Sequence, residues 1–274
     1  MTAAPLQLRP RSGQRVLLVC TAVLVTITWI SAALFAAYIA AFYGGAAADH
    51  APERWNELLP ELYEPGRPGA AAAIGLHFAA GGVILLLGPI QLLGPVRRRA
   101  PALHRWLGRL YAACALMAGL GGLAFIAMKG TVGGLPMNLG FGLYGALMVI
   151  AAVQTVRHAV ARRLDRHQLW AARLFALAIG SWLYRLEYGF WTAFTGGLGH
   201  TEGFDGWFDV VMSFFFYLPN LAAADLAVRN LGRPAAKSAW PASAAMALAA
   251  AVAAIGAWEF TVRIWAPAIL ARFS

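Results

Sequence analysis

Three histidines stand within or at the edge of apolar segments, each with a small residue four positions on: His77 with Gly81, His104 with Gly108, and His167 with Ala171. A helix puts residues i and i+4 on one face, so each imidazole would stand beside a local hollow. Imidazole ligates iron, and a hollow next to it admits a flat macrocycle. The same small residues equally serve close helix packing. His104 and His167 each open an apolar segment, and His158 closes another at the same depth. Arg105, Arg109 and Arg173 flank them, and guanidinium forks suit carboxylates such as haem propionates. The competing role for this cluster is a basic belt that contacts anionic lipid headgroups, its long side chains snorkelling to the interface.

His77 lies deeper, in Leu76-His77-Phe78-Ala79-Ala80-Gly81-Gly82. An ionisable group at that depth is costly in lipid and faces a bundle interior, where it binds a ligand or hydrogen-bonds a neighbouring helix. Met137 is the nearest thioether at that depth, so one haem is expected rather than two. Arg185 follows His167 by five helical turns, on the same face and about 27 Å along the axis. Glu187 lies about 200° round the helix from it and is not its partner. A partner is required, because an unpaired arginine in a span costs several kcal/mol. Candidates are an outer-loop carboxylate, helix C-terminal carbonyls, or the anionic group of a ligand.

The elements that must carry these residues are membrane helices. The chain has 274 residues, of which 60% are hydrophobic and 12% charged, against about 25% charged in soluble domains. The deficit comes from long apolar runs, which marks an all-α polytopic membrane protein. A net charge of +10 would suggest nucleic acid in a soluble protein; here the cations set topology, and no nucleic-acid partner is expected. Cys20 and Cys114 fall in apolar runs with neither metal nor disulfide spacing. They act as small buried hydrophobes. Arg9, Arg11 and Arg15 precede an apolar run, Val16 to Tyr43, about twice the length of a signal-peptide core. It is read as a retained first helix, although Ala46-Ala47-Ala48 mimics a cleavage site.

Seven spans are expected, at about 16–43, 70–93, 107–128, 137–157, 168–195, 207–228 and 240–265. Arg185, Glu187 and Glu259 interrupt the fifth and seventh. The chain divides into a cytoplasmic tail (1–15), the first helix (16–43), an acidic outer loop (44–69), a four-helix core of spans two to five (70–195), and an outer loop with the sixth and seventh helices (196–274). Arg9, Arg11 and Arg15, Arg97 to Arg99, Arg105 and Arg109, Arg157, Arg162, Arg163, Arg166 and Arg173, and Arg229, Arg233 and Lys237 all fall on one side of this arrangement. Of the acids, only Asp165 and Asp225 join them. The positive-inside rule then puts the N-terminus inside, the C-terminus outside, and the protein in a bacterial inner membrane.

The opposite side carries Asp49, Glu53, Glu57, Glu61 and Glu64, then His200, Glu202, Asp205 and Asp209. His50 and His200 with these acids match no metal spacing and are read as solvated loops. Trp55 to Leu59 suggests a short interfacial helix. Gly119, Gly121, Gly122, Gly140, Gly142 and Gly145 suggest close helix approach. Lys129-Gly130-Thr131 lacks a phosphate-loop pattern, and no His-Glu-x-x-His, Gly-x-Ser-x-Gly or Cys-x-x-Cys motif occurs.

Several runs resemble one family. His77-x-x-x-Gly81, Leu87-Gly88-Pro89-Ile90-Gln91 and Pro101-x-Leu103-His104-Arg105-Trp106-Leu107-Gly108-Arg109-Leu110-Tyr111 look like the predicted bacterial membrane proteins called domain of unknown function 2306. His167-x-x-Trp170-x-x-Arg173 and Tyr184-Arg185-Leu186 look like its second half, with Gln168 a departure where a second cation is expected. The resemblance covers about 70–190 and implies no activity. More loosely, the arrangement is similar to transmembrane b-type cytochromes. That similarity implies haem b carried between core helices for electron transfer, with His104 and His167 as axial ligands and His77, Arg105, Arg109, Arg173 and Arg185 around the cofactor. The alternative is a non-haem membrane protein that binds or moves a small molecule or lipid, or assists assembly of another complex. A metal-dependent hydrolase lacks carboxylate partners inside the spans. Whether the chain is an enzyme, and which protein it partners, stays open; the bilayer and anionic headgroups are the expected contacts.

Overall fold

The computed structural model describes residues 12–229 and 239–273, and among these every regular element is helical. Six helices are long and apolar enough to cross a membrane: α1 (Ser12–Ala48), α2 (Pro68–Leu92), α3 (Pro101–Met128), α4 (Gly134–Val160), α7 (Trp207–Arg229) and α8 (Trp240–Leu270). Between α4 and α7 lie two shorter helices, α5 (Leu164–Ala178) and α6 (Gly180–Thr195). Prolines open α2, α3 and α8, where the missing N–H is no loss. α6 stops at Gly196, whose φ of 69° is the left-handed cap that glycine supplies.

The expected fifth span, 168–195, is therefore not one helix. It breaks at Ile179, and neither half alone is long and apolar enough to cross. Asp165, Arg166, His167 and Arg173 dilute the first half, and Arg185 and Glu187 the second. Other limits move as well. The first helix runs on to Ala48 through a π-helical turn at Ile39–Gly44. The third begins at Pro101, so His104 and Arg105 stand inside its first turns rather than before it. The segment around Trp55 is a 3-10 turn, Pro52–Glu57, with Trp55 buried and its indole N–H donated to the Tyr43 carbonyl at 3.1 Å. Arg9, Arg11, Arg233 and Lys237 lie outside the described residues.

α2 packs on α3, α3 on α4, and α4 on α5, with a lighter contact from α5 back to α2. These are the four segments expected to form the core. After Ile179 the chain leaves this ring: α6 packs on α8, α8 on α1, and α1 on α2. α7 covers the ring from outside, its first half on α4 and its second on α5. Glycines allow the tightest crossings. A Cβ on Gly121 would lie 2.6 Å from the Ala73 carbonyl of α2, one on Gly140 2.4 Å from the Ser213 carbonyl of α7.

The two ends differ in charge. At one, the acidic end, Lys129 pairs with Glu64 at 3.3 Å, Arg67 donates to the Met128 carbonyl at 3.2 Å, and Arg272 pairs with Asp49 at 2.5 Å. At the other, the basic end, α1 begins beside α8, with the Ser243 hydroxyl 3.4 Å from the Gly13 carbonyl.

Candidate functional site

Where α6 swings from the ring toward α8, the helices leave a cavity of ≈ 420 Å³ near the acidic end. Such a volume suits a small molecule. Its wall is mainly apolar and aromatic, with Phe78 and Phe125 on one side and Phe141, Met148 and Phe216 on the other. Leu58, Leu59 and Leu62 of the loop after α1 line it at the acidic end. That loop is pinned by reciprocal bonds between the Asn56 side chain and the Tyr63 backbone, at 2.9 and 2.8 Å.

Polar groups converge on this apolar chamber. Arg185 of α6 lines it. The guanidinium donates to the Ser181 carbonyl at 2.8 Å, lies 4.5 Å over the Phe35 ring, and sits beside the Tyr43 hydroxyl. None of the ion pairs among the described residues includes it. A guanidinium has five N–H donors, so most of its capacity remains for an acceptor in the cavity. His77 faces Arg185's chamber from α2. Its Nδ1 lies 2.8 Å from the Ala118 carbonyl of α3. A carbonyl only accepts, so Nδ1 carries the hydrogen and Nε2 is left as the acceptor. Gly122 makes room for the ring: a Cβ there would sit 3.2 Å from Nδ1. The hollow expected at Gly81 is open, with nothing within 4 Å of an added Cβ.

Tyrosines complete the polar part of the wall. Tyr38 and Tyr43 come from α1, Tyr144 from α4, and Tyr184 and Tyr188 from α6. Tyr144 spends its hydroxyl on the Leu177 carbonyl at 2.6 Å, just before the break at Ile179. Tyr184 donates to Tyr188 at 2.9 Å, and Tyr188 to Asp209 at 2.6 Å. Asp209 corrects the expectation of a solvated loop, because it is fully buried. At the third position of α7 it reaches back to the Gly206 N–H at 3.1 Å, which is a capping role. It also accepts from the Thr201 N–H at 3.1 Å and lies 2.7 Å from His200 Nδ1.

The basic end gathers His104, His158 and His167. His167 Nδ1 lies 3.0 Å from the Thr155 carbonyl of α4, and the Nδ1 atoms of His104 and His158 are buried without a partner. A ring nitrogen held by a carbonyl is how proteins fix an imidazole that ligates through its other nitrogen. The surround is less suited to a haem. The Gly108 hollow is filled, since a Cβ there would lie 3.2 Å from Gln91 Oε1. Arg173 is engaged by both oxygens of Asp225, at 2.6 and 2.8 Å, and stacks on Trp170. Arg109 lies over Trp106 at 5.0 Å. The structure thus brings His77 and Arg185 to one chamber, and His104, His167 and Arg173 to the other end. Among the described residues no three His, Cys, Asp or Glu side chains are grouped to hold a metal ion.

A helical bundle with several helices long and apolar enough to cross a membrane is a polytopic membrane protein, here with a mainly apolar internal cavity. The family model described as predicted membrane protein, DUF2306, matches residues 74–228, and the chain belongs to that family. The match runs from α2 to the end of α7 and includes His77, Arg185 and Asp209. No curated protein and no solved structure matches the chain.

Proposed function

We propose that this protein binds a small amphipathic molecule in the chamber between α2, α3, α4 and α6, with an acidic or strongly accepting head on Arg185 and an apolar body among the aromatic side chains. One observation carries this: a guanidinium in a mainly apolar cavity with no carboxylate partner. A half-buried charge left in that state is unfavourable unless a ligand, or the water that a ligand displaces, completes it. His77 Nε2 supplies an acceptor for a hydroxyl on the same ligand. The protein is proposed to cross a bacterial inner membrane seven times, the α5–α6 pair making the fifth crossing and the acidic end lying outside. Binding or translocation of the ligand is in keeping with that placement within the membrane.

The test is binding of dodecanoate and of dodecanol to the purified full chain in detergent, read by tryptophan fluorescence through Trp265, which lines the cavity. Dodecanoate is expected to bind at least tenfold more tightly, and Arg185→Gln to remove that preference. Equal affinity for the acid and the alcohol in the wild-type protein would overturn the proposal.

A second reading keeps haem b at the basic end. It is favoured by the Thr155 carbonyl that orients His167 and by the unpartnered Nδ1 of His104, while the filled Gly108 hollow and the Arg173–Asp225 pair weigh against it. Protein expressed with ample haem should then show a Soret band that His104→Ala or His167→Ala abolishes; a colourless, iron-free wild type ends this reading.

A further inference from the structure

Asp209 poses a question that ligand binding alone does not answer. A helix cap needs only a surface carboxylate, yet this one is fully buried and joined to groups on both sides. Its Oδ2 is fixed by two backbone N–H groups, those of Thr201 and Gly206, at 3.1 Å each. Its Oδ1 is thereby turned to Tyr188 at 2.6 Å and His200 at 2.7 Å. Tyr188 in turn accepts from Tyr184 at 2.9 Å. The four side chains make an unbroken line of hydrogen bonds. Its inner end, Tyr184, lines the cavity. Its outer end, His200, comes from the loop before α7 at the acidic end, where it borders the cavity and has its side chain 31% exposed. Ring contacts hold the line in place: Tyr184 lies 4.5 Å from Tyr188, and Tyr188 lies 4.9 Å from Phe208.

We propose that Tyr184, Tyr188, Asp209 and His200 are a proton exit from the cavity, so that the ligand is a weak acid that loses its proton there and stays as an anion on Arg185. This rests on the cavity reading above and names the chemistry of its ligand. The donors already point outward, from Tyr184 to Tyr188 to Asp209. The O–H bond of the ligand breaks as its proton passes to the Tyr184 oxygen. Tyr184 gives its own proton to Tyr188, and Tyr188 gives its own to Asp209 Oδ1. His200 enters this step with its hydrogen on Nε2: the proton moves from Asp209 Oδ1 to Nδ1, the imidazolium releases the Nε2 hydrogen to water, and proton exchange with water returns the ring to its first tautomer. One proton leaves the ligand, one reaches the solvent, and each relay residue ends neutral or charged as it began. Proton relays of this kind are a common use of Asp and His in membrane spans. The charged and titratable groups facing the line are few. Arg185 adjoins Tyr184 on α6, Tyr144 faces it from α4 with its hydroxyl already donated, and Asp205 lies in the loop, bonded to Thr201 at 2.6 Å. Arg185 favours the anion on the cavity side.

The probe is 4-nitrophenol, whose colour reports its ionisation, mixed rapidly with the full chain in weakly buffered detergent beside a membrane-impermeant pH dye. In the wild type the bound phenol is expected to ionise at a pH at least one unit below that of the free phenol, with a proton appearing in the bulk. Tyr188→Phe, compared with the wild type at saturating phenol, should slow that proton release at least tenfold. His200→Ala should slow it similarly, and added imidazole should restore the rate, which a merely structural defect would not allow. Release at the wild-type rate in Tyr188→Phe, or a His200→Ala rate that imidazole leaves unchanged, overturns the relay while the cavity reading stands. Failure of 4-nitrophenol and dodecanoate alike to bind the wild type overturns both.

Discussion

Arg185 and Asp209 are charges removed from water in the same part of the molecule, and they are treated in opposite ways. Asp209 has four hydrogen-bond partners around two oxygens, which is close to the capacity of a carboxylate. Arg185 has one carbonyl and an aromatic face. A fully satisfied buried charge is costly to disturb, because removing it strands its partners. Asp209→Ala would leave Tyr188, His200 and two backbone N–H groups facing an apolar hole, and should cost about 3–5 kcal/mol. It should lower the thermal midpoint in detergent well below that of Arg185→Gln, which removes a group in no ion pair among the described residues. Equal losses in the two variants would contradict this division. In the sequence, both residues were visible as charges near apolar runs, and Arg185 was marked as needing a partner. Asp209 was hidden among the acids of its loop. The signal for it was the order Gly206-Trp207-Phe208-Asp209 before an apolar run, which places a carboxylate at the third position of a helix, where it caps. The tyrosines were missed for a plainer reason: hydropathy counts them with the core, and only the packing decides which of their hydroxyls meet a cavity.

At the scale of elements, the break at Ile179 creates the chamber. If α5 continued straight, its second half would close the ring against α2 and α3; instead α6 leans on α8. That lean depends on a close crossing in which a Cβ on Gly256 would fall 2.0 Å from the Leu186 carbonyl, and one on Gly189 2.7 Å from the Gly256 carbonyl. Gly256→Leu should therefore push α6 off α8. The expected result is a lower thermal midpoint, a loss of about 1–3 kcal/mol or more from overpacking, and weaker dodecanoate binding, because Arg185 and Tyr188 ride on α6. Gly142→Ala, where an added Cβ meets nothing within 4 Å, should change neither. The long helices were legible from apolar runs alone, since α2, α3, α4 and α7 fall close to where hydropathy puts them. The split of the fifth segment is not, because its one local mark is Gly180, and a lone glycine inside a helical run does not by itself end a helix. Gly180 follows the break, and Tyr144 bonds the Leu177 carbonyl just before it; the second of these is a tertiary contact that no single segment records. The glycine density in α3 and α4 was read as packing, and Gly119, Gly121 and Gly140 do meet neighbouring helices closely, whereas Gly142 does not.

At the scale of the molecule, two contacts fix how many times the chain changes ends. Gly13, near the start of α1, lies beside Ser243 at the start of α8. Arg272, past the end of α8, pairs with Asp49, past the end of α1. The two described termini therefore lie at opposite ends of the bundle, and a chain that starts at one end and finishes at the other crosses an odd number of times. Six long apolar helices among the described residues give an even number, so the proposed seventh passage falls to the α5–α6 pair. Together they would span roughly 46 Å if straight, against an apolar thickness of about 30 Å, which leaves room for a bend at Ile179. Two of the charged residues in this expected span are covered where they occur: Arg173 by Asp225, and Arg185 by Ser181 and Phe35. Charge gives the direction. Arg97 to Arg99, Arg162, Arg163 and Arg166 stand at the basic end, and this end should face the cytoplasm. Reporter fusions after Arg99 and Arg163 should read cytoplasmic, and fusions near Gly66 and Gly203 external. The decisive pair is Arg163 and Gly203, on either side of the α5–α6 passage. Opposite readings there establish the seventh crossing, and identical readings would mean that α5 and α6 enter and leave the membrane on one side, which would put the Arg185 chamber in a re-entrant segment rather than a span.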